Sequence, residues 1–360
     1  MKKLLIVDGN SILNRAFYGI RPLKTKDGLF TNAIYGMVNI IDRHLKTYEP
    51  DYFAVAFDMR APTFRHKFSA DYKATRHGMP EELAVQLEPA KECMRAMGGA
   101  VLTLEGYEAD DILGTLAAMA EREDVMTYIA TGDRDSLQLI SDKTNVVLAT
   151  NTEPILYDTA LFLEKYGVLP SQYVDVKALM GDSSDNIPGV AGIGKKTAAS
   201  LIQNFGTLDG IYENIESPLI SKGVREKLLR DKENAYLSRT LAKIDTNAPV
   251  GKELYDLKLG ETDRGGLYTK FLELELNSLI SKFGLSPSDV KAVKDSPCTD
   301  AEAADNASKK KRTTQKNLSE GQLGFDFPEE GESLDFAPFD ASNIQKTRHA
   351  PLFDTKRRTK

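Results

Sequence analysis

Residues 1–10 read MKKLLIVDGN, in which the apolar run Leu4 to Val7 stops abruptly at Asp8. An apolar run without polar alternation, bounded by charge and glycine, reads as a strand covered on both faces. The same form returns at Phe53 to Phe57, which is followed by Asp58, and at Val101 to Leu104, Val125 to Ala130 and Val146 to Ala149. Between most of these runs lie stretches of helical period, such as Ala33 to Leu45 and Asp111 to Ala120. Strands alternating with helices predict an α/β fold with a mainly parallel sheet flanked by helices. Such sheets bind ligands beyond the carboxyl ends of their strands, which is where Asp8 and Asp58 would stand.

From about residue 160 the strand signal fades, and short helical segments punctuated by glycine continue to about Gly284. Beyond them Leu, Ile, Val and Phe supply only 12 of the 75 residues from 286 to 360, too few for a core. The chain therefore divides into an α/β region over 1–170, an all-α region over 171–285 and a disordered tail over 286–360. No internal repeat is present.

A chain of 360 residues with 41% hydrophobic content can bury a substantial core. No segment approaches the roughly 18 consecutive apolar residues of a membrane span, and the start lacks the apolar core of a signal peptide. A cytoplasmic protein without a membrane partner is expected. Cys93 and Cys298 stand alone and far apart, which excludes a disulfide framework and a Cys/His zinc site. The net charge of -6 is unusual for a nucleic-acid binder. Residues 287–360 balance 13 basic against 13 acidic residues, so the deficit lies in the folded part. Setting aside nine acids as candidate metal ligands leaves that part at +3.

Those nine come from five segments. Asp8 and Asp58 end strands; Glu108, Asp110 and Asp111 enter a helix, with Glu108 and Asp111 on one face by their spacing. Asp133 and Asp135 follow the strand VMTYIA, and Asp182 and Asp185 lie in GDSSDN. Singly, each has an ordinary reading as a turn former, a cap or a partner of a helix dipole. Jointly they are costly, because unit charges about 4 Å apart repel by roughly 4 kcal/mol at an effective dielectric of 20. Cations relieve that cost. All-oxygen ligands without Cys or His select hard ions, Mg²⁺ or Mn²⁺, two of which suit phosphodiester hydrolysis.

Residues 187–198, IPGVAGIGKKTA, nearly spell a phosphate-binding P-loop from Gly189, but Lys196 stands where Ser or Thr is needed and no strand precedes. A helix-hairpin-helix reads better. In it Gly189, Gly192 and Gly194 let backbone N–H groups approach a DNA phosphate beside Lys195, Lys196 and Thr197. A merely structural glycine-rich turn stays open. Residues 63–76, TFRHKFSADYKATR, mix basic and aromatic side chains. They read equally as a solvated helical face or as a DNA contact in which Arg65, Lys73 and Arg76 meet phosphates and Tyr72 stacks on a base. Arg15, Phe17 and Tyr18 are weaker candidates of the same kind.

Together, VDGNSILNRAFYG, YKATRHGMP, GYEADDILGTLA, TGDRDSLQL and LMGDSSDNIPGVAGIGKKTA closely resemble the 5′ nuclease modules of bacterial DNA polymerase I, in the flap endonuclease superfamily. The resemblance runs from residue 1 to about 285. It implies a PIN/resolvase-like sheet with a helical arch over about 62–98 and a helix-hairpin-helix that grips duplex DNA. It also implies Asp8, Asp58, Glu108, Asp110 and Asp111 as ligands of one metal, and Asp133, Asp135, Asp182 and Asp185 as ligands or outer partners of another. Lys73 and Arg76 would contact the scissile phosphate, and the hairpin would hold K⁺. The implied substrate is a 5′ flap, nick or 5′ end, RNA-primed DNA included, cut by a monomer in primer removal and repair. A polymerase I would continue into a polymerase; here a polar tail follows, in which Gln322, Leu323, Phe325 and Phe327 are similar to peptides that dock on a sliding clamp, or form a random apolar patch in a linker.

Overall fold

The computed structural model describes residues 1–292, except His77 and Asn151. The apolar run after Lys2 forms β1 (Lys3–Asp8), and the chain turns at once into α1 (Gly9–Gly19), then α2 (Asn32–Tyr48). β2 (Tyr52–Ala56) leads to the short helices α3 (Arg65–Phe68) and α4 (Glu81–Ala84), then to α5 (Leu87–Ala96) and β3 (Ala100–Leu102). α6 (Ala109–Arg122), β4 (Met126–Thr131), β5 (Thr144–Leu148) and β6 (Ile155–Tyr157) complete the sheet. Its order is β3-β2-β1-β4-β5-β6, with β6 antiparallel to β5 and every other pairing parallel. The strand order reverses between β1 and β4, which makes that gap the switch point where a crevice opens.

Alternate residues of the strands feed two cores. Leu4, Ile6, Ala54, Ala56 and Ile129 face one, and Leu5, Val7, Phe53, Val55 and Phe57 face the other, with α1, α2 and α5. This two-sided burial is why the runs show no polar alternation, and each fully buried Leu, Ile or Val of β1 contributes roughly 1.5–3 kcal/mol.

α7 (Thr159–Tyr166), α8 (Tyr173–Met180), α9 (Lys195–Phe205), α10 (Leu208–Glu213), α11 (Lys222–Arg230) and α12 (Lys232–Ala242) follow the sheet. Val176, Leu179, Ile202 and Leu208 join the core that contains Leu4 and Ile6, so these helices share a core with the sheet.

Three boundaries differ from the sequence reading. α13 (Arg264–Glu273) and α14 (Asn277–Lys282) leave the helical layer and return to the opposite sheet face, where Leu267, Phe271 and Leu279 pack with Leu5 and Val7. Helical period shows that an apolar face exists, not what covers it. Within the expected arch, Ala90, Cys93 and Met94 of α5 are buried in the sheet's second core. The expected tail opens with α15 (Pro287–Ala292), tied by Asp289 to Arg264 at 2.8 Å. Residues 293–360, with Cys298 and the motif Gln322 to Phe327, lie outside the described residues.

Candidate active site

Parallel strands bring their carboxyl ends to one rim, and hydrogen bonds fix that rim around the switch point. Asp8 caps α1 by accepting from the Ser11 N–H at 3.0 Å, and its second oxygen accepts from Thr131 Oγ1, at the end of β4, at 2.8 Å. Gly132 N–H donates back to Ser11 Oγ at 2.8 Å, so β1 and β4 are stitched together. Asp58, just after β2, accepts from the first N–H of α6, that of Ala109, at 2.7 Å. Asp133 accepts from the Asp135 N–H at 2.9 Å and opens a 3₁₀ turn, from which Ser136 Oγ reaches Asp110 at 3.3 Å.

These acids burden one another. Burial, then the charges of Asp58 and Asp133, push the Asp8 carboxyl up to about 7 against the hydrogen bonds from Ser11 and Thr131. Burial, then Asp133 and Asp8, hold Asp110 well above the usual carboxylate range. Asp135 rises to about 6 through burial and Asp133, although Lys177 opposes the shift. The rim therefore carries more negative charge than it can keep fully ionised without further cations.

Besides Arg65, three cations stand among the acids of the described residues. Lys73 Nζ lies 2.8 Å from Glu108 and 3.9 Å from Asp185, and Arg76 hydrogen-bonds Asp185. Burial works against the Lys73 ammonium, but Glu108 and Asp185 outweigh it and hold its pKa above the usual lysine range. Lys73 itself is left-handed, with φ 55°, while its N–H donates to the Asp185 carbonyl at 2.9 Å. The third is Lys177 of α8, only 3% exposed, which donates to Asp135 and, at 2.9 Å, to Asp182. Burial alone would raise Asp182; Lys177 and Ser184 bring it down to about 2. Among the described residues, no group of three or more acids is arranged to hold an ion as it stands.

Four sequence assignments are corrected. Asp111 is fully buried, and its two oxygens accept four hydrogen bonds: from Arg65 Nη1 and Nη2, both 2.8 Å, from Glu108 N at 3.0 Å and from Asp245 N at 2.9 Å. Two lone pairs per oxygen are thereby used, which leaves none for a metal. Arg65, 2% exposed, is committed to that pair and cannot meet DNA. Tyr72, 3% exposed, sends its hydroxyl to Glu108 at 3.2 Å, so its ring does not stack on a base. Gly189 is buried and donates its N–H to Ser238 Oγ at 2.8 Å; a Cβ there would sit 2.3 Å from Gly181 N, so it serves the turn and not a phosphate.

The remaining candidates lie at or near the surface. On α1, Arg15 and Phe17 are half-buried and Tyr18 is 56% exposed. α8, the hairpin and α9 form the expected helix-hairpin-helix, with Gly192, Gly194 and Lys196 exposed and Lys195 and Thr197 half-buried. No strand leads into it, which rules out the P-loop. The carbonyls of Gly192 and Ala191 accept from Lys227 at 2.9 Å and Arg230 at 3.2 Å. Sequence reasoning missed Lys177, Ser11 and Thr131. Only the GDSSDN neighbourhood five residues after Lys177 hinted at the first.

An acid rim at the switch point of a parallel sheet, with arch cations above it and a helix-hairpin-helix beside it, defines a nuclease of resolvase-like α/β type. The chain belongs to the 5′-3′ exonuclease family: residues 3–167 match its N-terminal resolvase-like domain and residues 168–265 its C-terminal SAM fold. It is 43% identical over 289 residues to DNA polymerase I of Caldicellulosiruptor bescii, covering 79% of this chain and 34% of that protein. With the thermostable DNA polymerase I of Thermus aquaticus it shares 39% identity over 302 residues, 84% of this chain and 35% of that one. The chain thus spans about a third of the length of the curated relatives it matches.

Among solved structures, T5 5′-exonuclease with bound zinc aligns at TM-score 0.57 and 24% identity, over 68% of this chain and 90% of that one. The catalytic core of Rad2 in complex with a DNA substrate aligns at 0.52 and 16%, over 76% and 88%. At these identities the likeness is one of fold.

Proposed function

We propose that the protein hydrolyses DNA phosphodiesters as a structure-specific 5′-3′ exonuclease and 5′ flap endonuclease dependent on divalent metal. The observation that carries this reading is the excess of carboxylates at the switch point, with Lys73 and Arg76 reaching into it from the arch. The donor chemistry is all oxygen and fits two or more Mg²⁺ or Mn²⁺ ions. Asp8, Asp58, Glu108, Asp110, Asp133, Asp135, Asp182 and Asp185 would hold them; Asp111 would not. Such ions, when bound, make a water more acidic and stabilise the leaving oxygen.

The chain's own groups do the rest. Lys73 and Arg76 leave Glu108 and Asp185 to neutralise the phosphate. The exposed start of α9, with Gly194, Lys195, Lys196 and Thr197, grips duplex backbone without reading sequence. Arg15, Phe17 and Tyr18 extend the contact beside Asp8. Substrates are 5′ flaps, nicks and 5′ ends, RNA-primed DNA included, consistent with primer removal and repair. Gln322, Leu323, Phe325 and Phe327 dock on a sliding clamp; deleting 318–360 should abolish clamp association and leave cleavage intact.

A DNA-binding protein without catalysis is the second reading. One assay separates the two: a 5′-labelled flap incubated with Mg²⁺ or with chelator. Short products with Mg²⁺ alone support the nuclease; binding without metal-dependent cleavage overturns it. Within the nuclease reading, Asp135→Ala should cost cleavage far more than flap binding.

A further inference from the structure

Arg65, at the start of α3, and Asp111, in the first turn of α6, are both buried inside the protein beside the acid rim. The Arg65 guanidinium spends its N–H groups on two segments, the start of α6 and the end of α12. Nη1 and Nη2 bind Asp111 at 2.8 Å each, Nε binds the Leu241 carbonyl at 2.9 Å, and Nη2 also binds the Lys243 carbonyl at 2.8 Å. Nη1 further faces Glu108 at 3.5 Å. Asp111 in turn holds the N–H of Asp245, in the segment that leaves α12, and the N–H of Glu108, with which it forms the capping box of α6.

Glu108 carries this restraint to the rim. Its backbone is held by Asp111, and its carboxylate receives Tyr72 Oη at 3.2 Å and Lys73 Nζ at 2.8 Å. The connection closes on itself: Arg65 to Asp111, Asp111 to Glu108, Glu108 to Lys73, and back along the chain to Arg65. At rest the ion pair with Glu108 ties Lys73 to α6, and when Lys73 leaves Glu108 for a phosphate the Arg65–Asp111 pair still anchors the segment that carries it.

We propose that Arg65 and Asp111 are positioning residues: together they fix the arch base against the start of α6 and the exit of α12, and so set where Lys73 and Arg76 stand over the acids. The proposal rests on the nuclease reading. Neither residue meets substrate or ion, so they govern turnover and not binding. Only a planar fork bonds both segments at once; a lysine keeps the charge and loses the geometry.

The experiment compares Arg65→Lys, Asp111→Asn, the double variant, and the apolar pair Arg65→Met with Asp111→Leu. Each is followed by thermal unfolding, by flap affinity in chelator, and by kcat and KM with Mg²⁺. A misplaced reacting group costs about a hundredfold. Arg65→Lys and Asp111→Asn should each lower kcat by about that factor, with flap affinity in chelator unchanged. The double variant should be no worse than either single one, as expected of residues acting as a unit. The apolar pair leaves no orphaned charge but strips the Leu241 and Lys243 carbonyls and the Glu108 and Asp245 N–H groups of their partners, so it should fold with a lower melting temperature, and it should still be slow.

If the apolar pair folds and cleaves at the wild-type rate, or if the two single losses multiply in the double variant, the proposal is overturned. Loss of flap affinity in step with kcat also overturns it, because the pair would then serve docking. A wild-type protein that does not cleave at all refutes the nuclease reading instead, and the two failures are thereby distinguished.

Discussion

Lys177 and Asp135 meet across the seam between sheet and helical layer, the buried ammonium of one donating to the carboxylate of the other. Asp182 shares the same ammonium at 2.9 Å. Removing one member of a buried pair leaves uncompensated charge, at a cost of about 3–5 kcal/mol. Lys177→Met should lower the unfolding free energy by that order in urea titrations at pH 8. The loss should shrink toward pH 5, where Asp135, whose carboxyl already sits at about 6, takes up a proton. An equal loss at both pH values would show that packing, not charge, is what the lysine supplies.

Asp8 illustrates a site held at the expense of stability. Its folded pKa is about 7 against an ordinary 3.8, so the fold binds an extra proton between those values. Stability from that proton is full at low pH and is lost as pH rises through 7. Asp8→Asn should therefore be more stable than wild type by at least about 1 kcal/mol at pH 8 in chelator. It should also lose flap cleavage with Mg²⁺. A variant less stable than wild type at pH 8 would contradict this reading of Asp8.

His44 gives the opposite sign. Burial, with the Arg43 charge, pushes its imidazole from 6.5 down to about 4. Between those values the unfolded chain takes up a proton that the fold refuses, so stability falls as pH falls through that window, by at most about 1.4 kcal/mol per pH unit. Comparing urea titrations at pH 7 and pH 5, His44→Leu should lose less stability on acidification than wild type. Identical slopes would exclude His44 as a source of acid sensitivity.

The left-handed backbone of Lys73 supports a separate test. A non-glycine residue there costs roughly 1–2 kcal/mol, from which glycine is exempt. Lys73→Gly should melt later than Lys73→Ala by about 1 kcal/mol of stability, while both cleave about a hundredfold more slowly than wild type. If the alanine variant is the more stable, the conformation is not strained.

The sheet was legible because strands buried on both faces leave unbroken apolar runs, and Asp8 and Asp58 could be placed from those runs alone. β6 was not, being a three-residue edge strand with Ile155 and Leu156 exposed. The spacing of Glu108 and Asp111, which suggested joint ligation, is equally that of a capping box, and the structure shows the latter. Nothing local separates the two, since the deciding partner, Arg65, lies 46 residues earlier. Lys177 was missed for the same reason: its partner Asp135 is 42 residues away, and a lone lysine in a helix reads as solvated. The return of α13 to the sheet depends on which surface remained uncovered, and no residue encodes that by itself.

Lys73 and Arg76 already have anionic partners in Glu108 and Asp185. Every phosphate that reaches them arrives as a competitor, and contact is an exchange of anions rather than a capture by waiting charge. Fewer counterions are then released than the basic residues would suggest, so the salt dependence of flap binding should be shallower than their number implies. A strand that engages only the arch must displace two carboxylates unaided. One that also engaged the hairpin would have a second attachment to offset that exchange, so a 5′ end without a duplex is expected to bind more weakly than a flap on a duplex in a direct affinity comparison.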